Sequence, residues 1–133
     1  MNLKSKITKL VVIMTMAAGL LAVGTGSASA NSLSTGGTTT STTSWNTGST
    51  QYTQNHGGDD LAFDVTSGNA IDMRWITCNG SQTGTIKYNI TAGESFRIIG
   101  MNFLATTCLK LQFRGFTSTG AFTGITYWNY NFA

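Results

Sequence analysis

Proline is absent from the 133-residue chain, histidine occurs once, cysteine twice, and charged side chains make up only 10% of it. Each scarcity excludes something. Without proline there is no proline-containing sorting signal, and the closing NYNFA has no basic tail to accompany one. One histidine (His56) and two cysteines without CxxC or HxxxH spacing leave no zinc-type ligand set. The NHGGDD stretch around His56, Asp59 and Asp60 lacks the alternating ligands and closing Glu of a calcium loop, and reads as a polar loop with solvated acids. No GxSxG elbow places a serine nucleophile. The chain is therefore read as non-catalytic, with no cofactor and no metal.

What is present begins with a leader. MNLKSKITK carries Lys4, Lys6 and Lys9 and no acid; an uncharged apolar run follows from Leu10 to Val23, then GTGSASA. A basic start, an apolar run shorter than the ~20 residues that span a bilayer, and small residues at Ala28 and Ala30 predict a signal peptide over residues 1–30. The cut is expected between Ala30 and Asn31. No cysteine stands at that point, so no lipid anchor is expected, and no second apolar run follows to span a membrane. The pattern is bacterial in style. It places the protein outside the cell, or in the periplasm if the host is Gram-negative.

Removing the leader takes three of the eight basic residues with it and none of the five acids, so the mature chain is neutral. The precursor's pI of 9.1 is then no sign of nucleic-acid binding.

Thirty residues fewer leaves one domain of 103, the common size for a single core. An even pair of cysteines in an exported chain reads as a disulfide, Cys78 to Cys108. Alternation with period two runs through Leu61, Phe63 and Val65; Ile71, Met73 and Trp75; Ile86, Tyr88 and Ile90; and Leu109, Leu111 and Phe113. This marks half-buried antiparallel strands. Clusters such as Ser67-Gly68-Asn69, Asn79-Gly80-Ser81 and Ala92-Gly93-Glu94 supply the turns.

Strands are predicted near 60–66, 70–78, 84–90, 95–104, 107–116 and 122–132, with Gly100 as a bulge. The predicted fold is all-β: a small antiparallel β-sandwich or partly open barrel of six to seven strands. Trp75 and Trp128 lie outside the 78–108 interval, so the immunoglobulin pattern is not supported.

Residues 31–58 hold 14 Ser or Thr, 5 Gly and no charge. Such composition buries little apolar surface, so an arm, mobile before Trp45 and with an edge strand after 44, is expected ahead of a β domain over 59–133.

Two candidate binding sets follow. Trp45, Tyr52, Tyr127, Asn129 and Asn131 combine aromatic faces with amides, the means by which a sheet stacks on sugar rings. Phe122, Trp128, Tyr130 and Phe132 share the other parity and are expected to pack inward. Arg74, Lys87, Arg97, Lys110 and Arg114 occupy the phase opposite the apolar residues, while all four acids before Met73 stand apart from them. If their strands share a sheet, its outer face is basic and suits an anionic polymer such as teichoic acid, lipopolysaccharide or acidic sugar.

The resulting expectation is an exported binding module for a surface, glycan or protein. The alternatives are a secreted antagonist (bacteriocin-, toxin- or inhibitor-like) and an extracellular matrix protein assembled edge to edge.

Overall fold

The computed structural model of the chain describes residues 31–132, and the predicted signal peptide lies outside them. The six predicted strands are all present: β4 (Asp59–Gly68), β5 (Ile71–Thr77), β6 (Lys87–Ile90), β7 (Arg97–Phe103), β8 (Cys108–Gly115) and β9 (Gly120–Tyr130). Three more precede them: β1 (Asn31–Thr39), β2 (Asn46–Thr47) and β3 (Tyr52–Thr53). There is no helix among the described residues.

The strands form two antiparallel sheets. The first has the order β1-β9-β4-β7; the second has the order β2-β8-β5-β6, with β3 also paired to β8. Alternation explains why the sheets face each other. In β4 Leu61, Phe63 and Val65 are buried; in β5 Ile71 and Met73; in β8 Leu109 and Leu111. These residues, with Tyr52, Ile99 and Phe122, make one core between the sheets. Each such large side chain contributes about 1.5–3 kcal/mol by leaving water. Together with the Cys78–Cys108 disulfide, this is a small β-sandwich. The disulfide joins neighbouring strands of one sheet, where the Cys78 amide also donates to the Cys108 carbonyl at 2.9 Å.

The largest departure from the sequence reading is at the start. Residues expected as a mobile arm form β1, which pairs with β9 at nine successive positions. Composition alone cannot reveal this, because the stabilising partner is a distant strand. The Thr35, Tyr52 and Thr126 hydroxyls also bond one another at 2.8–3.2 Å, so these polar groups enter the interior satisfied.

Alternation fails at two asparagines with left-handed backbone. Asn129 (φ 55°) interrupts β9 and Asn89 (φ 54°) interrupts β6, a conformation Asn adopts more readily than most residues. Beyond Asn129 the phase reverses. Tyr130 is 39% exposed rather than inward, and Phe132 stacks on Phe96 and Tyr130 instead of entering the core. In β6 the pairing with β5 shifts register between Ile71 and Met73, so Tyr88 is exposed and Ile90 alone of its predicted trio is fully buried. The expected irregularity at Gly100 is present: β4 and β7 shift register on both sides of the Leu61–Gly100 pair.

The two acids of NHGGDD are buried rather than solvated. Asp59 accepts the His56 amide at 3.0 Å. Asp60 accepts the amides of Asn102 and Phe132, both at 2.9 Å. It fastens β7 and the chain end to β4.

Candidate functional site

Trp75 occupies the inward phase of β5 beside Met73, yet it is only partly buried. The reason is its position near the open side of the sandwich, where the residues leading into β6 approach β7. After β5 the chain turns through Asn79 and Gly80, held by Asn79 Oδ1 accepting the Thr77 hydroxyl and the Ser81 amide at 2.8 and 3.0 Å. It then returns along β5, and the Gly84 amide donates to the Trp75 carbonyl at 2.9 Å. Gly84 thereby packs against the indole, and so does Gly100 of β7. A Cβ at either position would fall 2.1 and 2.7 Å from Trp75 Nε1. Only glycine lets the backbone approach the ring this closely.

Beside the ring lies a cleft of about 400 Å³ lined by Trp75, Thr83, Gly84, Thr85, Lys87, Ile98, Ile99, Gly100 and Met101. Its volume falls in the ~300–1,000 Å³ range of small-ligand sites. Phe103 supports the Trp75 ring edge-on at 5.3 Å. Among the described residues the indole N–H has no hydrogen-bond acceptor, and it is not sealed from solvent. Lys87 stands directly opposite Met73 in the β5–β6 pairing, so it faces the cleft from the edge. Among the described residues it makes no ion pair. The lining thus offers an aromatic and aliphatic floor, two threonine side chains, one indole N–H and one ammonium group.

The predicted basic set divides among three places. Arg74, Lys110 and Arg114 do share the outer face of the second sheet, since β5 and β8 are neighbours. The guanidinium groups of Arg74 and Arg114 each lie 4.5 Å from the centre of the Trp45 ring. Arg74 donates to Gln112 at 2.7 Å and Arg114 to buried Asp72 at 3.1 Å. These groups are therefore largely consumed in holding β2 to the sheet. Lys110 sits on the same face opposite Ile76. Lys87 is at the cleft instead. Arg97 belongs to the first sheet and pairs with Glu94 at 2.6 Å.

The aromatic set is dispersed as well. Tyr52 and Asn129 are 1% and 2% exposed, so neither is available at a surface. Tyr52 packs on Trp128 at 5.0 Å, while Asn129 accepts the Asn55 amide at 2.8 Å. Tyr127 lies on the outer face of the first sheet near Phe96, and Asn131 follows β9. Trp45 is covered by the two arginines. No joint site forms from these five.

Sequence reasoning missed the Trp75 cleft because parity assigned Trp75 to the core. The one available signal was the pair of glycines at 84 and 100: Gly100 was read as a bulge, and Gly84 fell at the start of the predicted strand 84–90 without separate meaning.

The chain matches no protein-family model, no curated protein and no solved structure.

Proposed function

We propose that the protein is an exported, non-catalytic binding domain whose ligand site is the Trp75 cleft, and that the ligand is a carbohydrate bearing an anionic group. The observation that carries this reading is the partly exposed Trp75 indole lining a ligand-sized cleft with Lys87, which makes no ion pair among the described residues, at its rim. The exposed part of the indole, with Ile98 and Met101, offers apolar contact to a sugar, while the threonine side chains bond its hydroxyls. The Lys87 ammonium, which makes no ion pair among the described residues, supplies the complement to a carboxylate or phosphate. The lining supplies contacts and orientation and contains no acid–base pair. Export is supported by the leader pattern and by the disulfide, which persists in oxidising compartments.

The test is titration of the purified chain with oligosaccharides of glucuronic acid and, separately, of glucose, read by calorimetry and tryptophan fluorescence. The acidic series should bind at least tenfold more tightly and perturb Trp75 emission. Lys87→Ala should remove that preference, and Trp75→Ala should remove binding of both. Equal affinity for the two series, or an acidic preference that survives Lys87→Ala, would overturn the reading.

A further inference from the structure

Sheet edges present unpaired backbone groups, and proteins guard them with short strands, bulges, charge or proline. Three edges here are guarded. β7 shifts register twice against β4 and contains Arg97 and left-handed Asn102 (φ 58°). β6 has four residues, including Lys87 and left-handed Asn89. β2 and β3 have two residues each. The fourth edge, β1, has none of these devices. It is nine residues long, uncharged and free of proline, and it follows β9 without a register shift. Among the described residues no strand pairs with its other side.

The direction of the open groups is fixed by one contact. The Thr38 carbonyl accepts Asn46 Nδ2 at 3.2 Å and so faces away from β9. In an extended strand Ser32, Ser34 and Gly36 share that direction.

We propose that β1 pairs antiparallel with β1 of a second copy of this chain, about a two-fold axis through Thr35. In this register Asn31 stands opposite Thr39, and Ser34 and Gly36 exchange hydrogen bonds with their counterparts. The open exchange is centred on these residues, since the Thr38 carbonyl at the end of the ladder already accepts Asn46 Nδ2. Leu33 then stands opposite Gly37 of the other copy. Opposed residues project to the same face of a sheet, and at Gly37 that face is closed by rings of its own chain. A Cβ there would lie 2.9 Å from the ring of Phe113 and 3.3 Å from that of Phe122. These rings, with Leu111 and Met73, line a cleft of about 210 Å³ beside β1. Leu33 is 43% exposed in the single chain, and in the dimer it would lie beside these rings, toward the mouth of the other copy's cleft.

A second copy is favoured over a charged partner because no residue from 31 to 58 carries charge. Two identical edges meet without repulsion, and the pattern maps onto itself. Such an isologous contact closes after two copies, so the product is a dimer and not a filament.

Sedimentation velocity of the purified chain across a hundredfold concentration range is the test, with a monomer–dimer equilibrium expected. Ser34→Pro removes an outward N–H at an edge position where proline is tolerated, and Leu33→Lys leaves the backbone intact; each should weaken dimerisation at least tenfold. Thr35→Cys should cross-link under oxidation, since facing residues at such a pair lie ~4.5 Å apart, within disulfide reach. Ser32→Cys should not, because the register holds the two copies of residue 32 about 20 Å apart. A chain that stays monomeric throughout overturns the proposal. So does a dimer unaffected by Leu33→Lys, or cross-linking of Ser32→Cys equal to that of Thr35→Cys. Should Ser34→Pro fail to fold, Leu33→Lys and the two cysteine variants carry the same decision.

Discussion

Gly100 on β7 touches the indole of Trp75 on β5: a Cβ there would lie 2.7 Å from Cδ1 and Nε1 of that ring and 2.4 Å from Cζ of Phe103. The first sheet therefore meets the second across a gap with no room for a methyl group. Gly100→Ala is expected to cost about 1–3 kcal/mol, the usual penalty of overpacking, and to shift tryptophan emission. Gly57→Ala, where nothing lies within 4 Å, is the control. Equal midpoints for the two variants in urea unfolding would contradict the contact.

Charge reversal on the outer face of the second sheet should separate two kinds of cation. Arg114 bonds Asp72, whose side chain is 4% exposed, and lies over Trp45. Arg114→Glu would leave a buried carboxylate facing a second acid, so a loss of about 3–5 kcal/mol is expected. Lys110, on the same face and without an ion pair among the described residues, should tolerate reversal within about 0.5 kcal/mol. Chemical denaturation of both variants decides this.

Asp60 is a structural anchor. With 1% exposure it accepts the amides of Asn102 and Phe132. Asp60→Ala strands two backbone donors, each costing about 1–3 kcal/mol. Asp60→Asn keeps one acceptor oxygen and should lose less. The readout is faster amide exchange at 102 and 132 in both variants, greatest in the alanine form.

The Cys78–Cys108 bond closes a loop with a sequence separation of 30. Its removal by paired serine substitution is expected to cost about 2–5 kcal/mol. Far-UV circular dichroism should stay sheet-like, because the bond duplicates a β5–β8 pairing that hydrogen bonds also hold.

The two-layer fold was legible because period-two alternation in Leu61–Val65 and Leu109–Phe113 reports a local property, which face each residue presents. β1 was not legible, since Ser, Thr and Gly carry no such mark and their ordering depends on β9 some ninety residues away. Reversals at Asn89 and Asn129 were hidden for a related reason: a positive φ is a backbone state, visible in sequence only as a residue that tolerates it. The cations were predicted on one face by phase, and three of them are. Their engagement with Trp45 and Asp72 is tertiary, and so was Lys87's turn toward the cleft. Tyr52 and Asn129 were read as surface groups because polarity suggested it, whereas each is buried with its polar atoms satisfied.

Asn31 lies opposite Trp128 in the β1–β9 pairing, so the first and last strands begin and end at the same corner of the sandwich. A force applied to separate those two points would open the ladder one pair at a time, rather than loading all nine pairs at once as sliding the strands would. The domain should therefore be mechanically soft along that axis. Such proximity is also what tolerates circular permutation and domain insertion, so a short linker across this corner, with new ends at a distant turn, should preserve both sheets.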